Sequence, residues 1–303
     1  MATKMNGVTE TRPDGIGGEN PDGYHLGRGY TATTRLNLQQ YLWTGAQGFL
    51  VHPRIQDYLL TTRSSSGQGE KHELGIADLA TGTGIWLFDL LKSPEVAGLN
   101  LRLHGFDISA DMYPHKSWLP QNLGFSLSDL FLDPPEDFIG TFDVVHVRLI
   151  LSVVGSGSPK PIINHIKKLL KPGGYIQWDE LDPINQYDVL TPSAEIDAPH
   201  TKATFQRVKE KADWTWIAAL PEALEEEGFV DALQTCYTPS PETMRAWTCN
   251  ELCVTEELSW NWGGGKEGER WREDIRKAYE ETHGSTGAVL RIRPTVTVAR
   301  KPL

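Results

Sequence analysis

The chain of 303 residues sets 29 lysines and arginines against 40 aspartates and glutamates, a formal net charge of −11. A phosphate backbone is drawn to basic surface, so this balance excludes nucleic acid as the expected partner. No apolar run approaches the roughly 20 residues that a bilayer requires, so no membrane partner is expected and the chain is placed in the cytoplasm. The length suits one large α/β domain with an elaborated lid. Cys236, Cys249 and Cys253 match no zinc spacing, which leaves no expected metal and three thiols expected to be buried.

Residues 1–23, with their GIGGENPDG stretch, read as a tail without fixed structure, and the single domain is expected to span 24–303. From Thr33 to Leu60 the apolar positions Leu36, Leu38, Leu42, Trp43, Phe49, Ile55 and Leu59 recur at helical spacing, broken near Gly48 and Pro53. Two helices are therefore expected ahead of the core, as an N-terminal lid over 24–70. Ser64 to Gly69 reads as a flexible connection before the first strand.

Ile76 to Trp86, IADLATGTGIW, then gives an apolar strand containing Asp78, a turn with Gly82 and Gly84, and the start of a helix. This is how a doubly wound α/β sheet builds its first ligand loop, because a residue without Cβ lets the chain turn sharply and a ligand lie against it. A dinucleotide fingerprint wants a third glycine where Leu87 stands, and no glycine loop ends in Lys followed by Ser or Thr. With both phosphate-bearing classes disfavoured, S-adenosylmethionine remains the expected cofactor, its carboxylate suited to the exposed amides of a helix start.

The second strand, in LRLHGFDIS (101–109), ends at Asp107, near the offset at which such folds place an acid for the ribose hydroxyls. A carboxylate accepts from both hydroxyls of a diol. The third, in GFSLSDL (124–130), ends at Ser128 and Asp129, suited to the adenine amino group. Ile108 and Leu130, the neighbours of these acids, join the expected cofactor set. FDVVHVRLILSVV (142–154) is a fourth strand running into an apolar helix, with His146 and Arg148 near the strand's carboxyl end. LLKPGGYIQWDELD (169–182) reads as a helix closed by Pro172 and the Gly173–Gly174 pair, then a fifth strand ending at Asp179 and Glu180.

Taken together, these segments resemble the class I S-adenosylmethionine-dependent methyltransferases. More narrowly, RLNLQQYLW, GFLVHPRI, IADLATGTGIW, LHGFDIS, WLPQN, FDVVHVRLI and LLKPGGYIQWDELDP, between about residues 24 and 183, are similar to fungal secondary-metabolite methyltransferases. That group includes the gliotoxin-pathway N-methyltransferase and the velvet-complex methyltransferase regulator. The resemblance implies that the turn from Asp78 to Gly84, with Asp107 and Asp129, contacts the cofactor. Ala80 departs from it, since many class I enzymes have glycine there; alanine disfavours positive φ, so a differently shaped turn is expected.

Beyond the cofactor core (71–240), Ala203 to Glu227 reads as helix ending at Gly228, and Val230 to Tyr237 as a sixth strand. A helical insertion of the lid follows over 241–287, with helices near Thr243 to Leu258 and Lys266 to Thr282. Val289 to Ala299, within 288–303, supplies the last strand. The expected fold is a doubly wound, Rossmann-like, seven-stranded and mostly parallel sheet with helical lid additions.

The chemistry asks chiefly for positioning, because the sulfonium already activates the methyl group. His146 is the base candidate by location, or else a hydrogen-bonded residue within its strand. Arg148 either fixes the methionine carboxylate or braces an acid. Glu180, with Asp179, stands where a side chain can orient substrate. Tyr24, His52, Trp178 and Trp247 are the substrate-wall candidates, aromatic groups that otherwise pack the lid. The expected activity is methylation of oxygen or nitrogen on a small fungal secondary metabolite. Its rivals are a regulatory protein that keeps the fold, or an S-adenosylmethionine-binding enzyme of cyclisation or rearrangement.

Overall fold

The computed structural model describes residues 23–64, 72–263 and 265–303. The expected N-terminal tail and the connection at 65–69 lie outside them. Among the described residues, seven strands form one sheet in the order β3-β2-β1-β4-β5-β9-β7. These are β1 (Glu73–Leu79), β2 (Asn100–Asp107), β3 (Leu123–Leu127), β4 (Phe142–Arg148), β5 (Leu170–Glu180), β7 (Val230–Cys236) and β9 (Thr295–Arg300). The first five run parallel, and β9 is antiparallel to both β5 and β7. The chain order reverses between β1 and β4, which opens a crevice at their carboxyl ends.

Central strands of such a sheet are covered on both faces and read as nearly unbroken apolar runs. Six of the seven residues of β1 are buried, as are six of β4. On one face Val145, Val147, Ile176 and Trp178 meet α5 (Lys160–Leu169), α7 (Thr215–Ala218) and α8 (Leu220–Glu226). On the other, Leu74, Ile76, Leu103 and Val144 meet α2 (Pro53–Ser64) and α3 (Ile85–Leu90).

Three expectations shift. Helix α5 ends at Leu169 and β5 begins at once, so Pro172, Gly173 and Gly174 lie in an irregularity of the strand, whose pairing jumps from Phe142↔Leu170 to Val144↔Tyr175. Proline has no N–H for the ladder, and Gly173 takes φ +81°. The helix expected over 203–227 is broken into α6 (Pro199–Glu210), α7 and α8. Asp213 accepts hydrogen bonds from both the N–H and the hydroxyl of Thr215, which starts a fresh helix there. The last strand splits at Pro294 into β8 (Val289–Ile292) and β9; β8 pairs with β6 (Tyr187–Leu190), a strand the sequence reading omitted, in a separate two-stranded sheet.

The cap is built from both ends of the chain. Helix α1 (Tyr30–Gln47) lies against α9 (Met244–Asn261), and α10 (Gly265–His283) against α9 and α6. They share a core of their own, with Trp43, Phe205, Trp247, Leu258 and Trp271. Inside it, Arg35 donates to Glu257 at 3.1 Å with both side chains at most 4 % exposed, and Glu257 also accepts from the Gly27 N–H. The cysteines depart from expectation: Cys236 and Cys253 are exposed and Cys249 half-buried. Helix α9 turns Trp247, Asn250, Glu251 and Leu258 inward instead.

Removing one partner of a buried ion pair leaves a stranded charge. Arg35→Leu is therefore expected to lower stability by about 3–5 kcal/mol, read by urea denaturation; a loss below 1 kcal/mol is the contrary result.

Candidate active site

A cavity of about 320 Å³ lies at the carboxyl ends of β1, β2 and β4. That is within the size range of small-molecule sites. Its floor is the turn after β1 with Asp78, its far wall the residues after β2 and β3. Its roof includes Leu36, Gln39 and Gln40 of α1, with Tyr24 and Arg28 on the chain leading into that helix.

The turn is left-handed three times over: Ala80 at φ +51°, Gly82 at +54° and Gly84 at +74°. A Cβ on Gly84 would stand 2.6 Å from the ring of Phe125, so close packing as well as backbone conformation requires glycine there. Ala80 adopts the left-handed conformation in spite of its Cβ, so the expected distortion appears as local strain. The Thr81 hydroxyl donates to Asp78 at 2.6 Å, and the Gly82 N–H donates to Asp107 at 2.9 Å. Asp107 accepts also from Ser109 N–H. Burial pushes its carboxyl upward, against the pull of those two amides. Beyond it, Asp129 accepts from the Phe131 N–H at 2.9 Å, which fixes the loop carrying Ser128 and Leu130.

Beneath the cavity lies a buried charge cluster. His146 Nδ1 is 2.7 Å from Asp78 and Nε2 is 3.3 Å from Asp179. Arg148 donates from Nε and Nη2 to the same Asp179 oxygen, at 3.1 and 2.8 Å. Trp86 stacks flat on the imidazole, ring centres 4.0 Å apart. Burial alone draws the His146 pKa down, but hydrogen bonds to Asp179 and Asp78 outweigh it and the net direction is up. Asp179 is raised by burial and lowered more strongly by Arg148 and His146, so it stays ionised. An imidazolium donating from both nitrogens satisfies both acids. Held this way, His146 has no lone pair for a substrate proton, which makes it a brace across three strands.

Of the residues expected from sequence, Tyr24, Asp78, Ala80, Gly82, Asp107, Ile108, Ser128, Asp129, Leu130, His146 and Arg148 all line the cavity. The others do not. Gly84 sits behind the turn. Trp178 is fully buried against Trp216, and Trp247 against Trp43 in the cap core. His52 caps α2, its Nδ1 accepting from Arg54 N–H while its own N–H donates to Gln177. Glu180 points to the opposite strand face from Asp179 and accepts from the Ile150 and Leu181 amides and the Trp178 indole. Burial carries its carboxyl up to about 8. Arg28, Gln40 and Trp86 were missed; only the polar QQ pair inside an apolar helix hinted at Gln40.

Glycine turn, strand-end acids and sheet order together define a doubly wound α/β fold with its crevice at the switch point of the strands. Residues 77–176 match the family model described as Methyltransferase domain. Over 111 residues the chain is 38% identical to "Methyltransferase grgD" of Penicillium sp, covering 35% of this chain and 38% of that protein. Over 164 residues it is 30% identical to "N-methyltransferase verN" of Clonostachys rogersoniana, 54% of each. It is 31% identical to "Secondary metabolism regulator laeA" of Coprinopsis cinerea over 116 residues, 37% of this chain and 26% of that one. The match thus spans between about a quarter and about half of these relatives' lengths. Over residues 77–176 the chain thus resembles a methyltransferase domain, and it shows distant similarity to these fungal proteins. Among the described residues, no helix is long and apolar enough to cross a membrane, and no group of three or more His, Cys, Asp or Glu side chains is arranged to hold a metal ion.

Two tests follow from the geometry. A histidine whose folded pKa lies above its unfolded value gives stability that is complete below about 6.5 and is lost as pH rises through the folded value. The stability difference between the wild type and His146→Gln should accordingly shrink as pH rises above 6.5; denaturation midpoints that stay parallel to pH 9 would contradict a protonated His146. Separately, Ala80→Gly relieves a left-handed Cβ clash of about 1–2 kcal/mol and gives back up to about 1 in chain entropy, a net gain of about 0.5–1 kcal/mol in thermal or urea unfolding.

Proposed function

We propose that this chain methylates an oxygen or nitrogen of a small secondary metabolite of the fungal kind, using S-adenosyl-L-methionine. The observation that carries the reading is the single cavity wall that joins the glycine turn, Asp107 and Asp129 beneath a helical roof. The donor set suits the group. Asp107 faces the cavity as a diol acceptor, Ser128 and Asp129 offer partners to an adenine, and Ile108 with Leu130 supply apolar sides for its ring. When bound, the sulfonium supplies an electrophilic methyl group.

The chain's own residues orient and enclose. With both nitrogens of His146 engaged by carboxylates, no proton acceptor from that side chain reaches the cavity. Catalysis then rests on alignment, which suits a neutral amine nitrogen best. A phenol, with a pKa near 10, gains more from a base. Helix α1 excludes water and is backed by α9 and α10, whereas α2, expected in the lid, packs on the sheet instead. The net charge of −11 favours a small organic substrate over nucleic acid. Free thiols at all three cysteines fit a reducing, cytoplasmic setting. A second reading, a regulator that keeps the fold, draws on the likeness to laeA.

The test is transfer of labelled methyl from S-adenosylmethionine to a small-molecule extract of the producing cells. Label in a metabolite absent from cells lacking the chain supports the enzyme; label in protein or nowhere defeats it. Asp107→Ala should weaken binding of the cofactor by about 1–3 kcal/mol, the worth of a charged hydrogen bond, and an unchanged calorimetric affinity would remove the ribose assignment.

A further inference from the structure

We infer that Gln40 is a positioning residue that holds helix α1 shut over the cavity and keeps Arg148 in place, an inference that rests on the cofactor reading above. Gln40 is 3 % exposed. Its Oε1 accepts from Arg148 Nη1 at 2.6 Å, and its Nε2 donates to Asp89 of α3 at 3.0 Å. A guanidinium only donates and a carboxylate only accepts, so these partners fix the amide's orientation and require a side chain that does both.

The two partners stand on different elements, and Arg148 lines the cavity. Asp89 belongs to the helix that begins at Gly84, and Arg148 closes β4. From Arg148 the contacts run through Asp179 and His146 to Asp78, which holds Thr81 of the glycine turn. One turn of α1 further on, Trp43 lies under the Arg148 guanidinium, 4.8 Å from ring to carbon. One turn back, Leu36 meets the face of Gly82, 3.3 Å from where a Cβ would stand. A single amide thus ties the roof to α3 and to the end of β4. Loosening it frees α1 to lift and the cofactor or its product to leave.

The joint can be tested by exchanging its two chemistries. Gln40→Glu sets a carboxylate against Asp89, whereas Asp89→Asn alone can turn its amide oxygen to Gln40 Nε2 and keep the bond. Combined, they restore an acceptor for Arg148 and a donor–acceptor pair between the helices, at unchanged total charge. Four full-length proteins, the wild type, both single variants and the double variant, are compared by calorimetry with S-adenosylhomocysteine and by amide hydrogen exchange of residues 30–47 without it. Gln40→Glu alone should bind about tenfold more weakly and exchange about tenfold faster through α1, while Asp89→Asn alone and the double variant should stay within about threefold of the wild type in both. A role confined to general stability gives no such recovery. A Gln40→Glu protein that matches the wild type, or a double variant as impaired as Gln40→Glu alone, overturns the inference. Should the wild type bind no S-adenosylhomocysteine, the cofactor reading falls, while exchange of α1 in the same four proteins still decides the role of Gln40.

Discussion

The rest of this structure depends on a buried ionic cluster in which two carboxylates, Asp78 and Asp179, share one imidazolium and a guanidinium. The formal charges sum to zero, and that balance is what makes their burial tolerable, since an unpaired charge in the same place costs several kcal/mol. Each member stands on a different position of the central sheet, on β1, β4 and β5, so the cluster locks the register of three adjacent strands. It also lies directly under the cavity. Strand pairing, electrostatic balance and the shape of the site are therefore one constraint.

Local strain accumulates where that constraint is tightest. Ala80 and Leu149 both hold positive φ, one in the glycine turn and one immediately after Arg148. Residues with a Cβ persist in such conformations only where surrounding contacts over-determine them, and these two line the same cavity. The cap adds a second layer of determination. It has its own apolar core and its own buried ion pair, and it reaches the sheet through α1.

How much could be read in advance follows from sequence separation. The acids that line the cavity were legible because each stands at or just past the end of a short apolar strand, and parallel strands carry their carboxyl ends to one edge. The glycine turn was legible for the same reason, since strand, turn and helix are contiguous. Trp178 and Trp247 were assigned to a substrate wall and lie in cores, because an indole at a strand end or on a lid helix looks alike in either role until its neighbours are known. The splitting of the last strand at Pro294 was visible in the residue itself. What was hidden was its partner β6, a four-residue strand that acquires meaning only when β8 lies beside it.

The amino-acid sequence by itself determined the parallel core, the turn that faces the cavity and the acids around it, because each is encoded within a few consecutive residues by periodicity and backbone preference. The tertiary structure alone decided what His146 does and what Gln40 touches. Gln40 meets Arg148 across 108 positions of chain, and His146 meets its acids across 68 and 33. A histidine's ability to act as a base is set by which groups occupy its two nitrogens, and contacts of that range exist only once the strands have paired and the cap has closed.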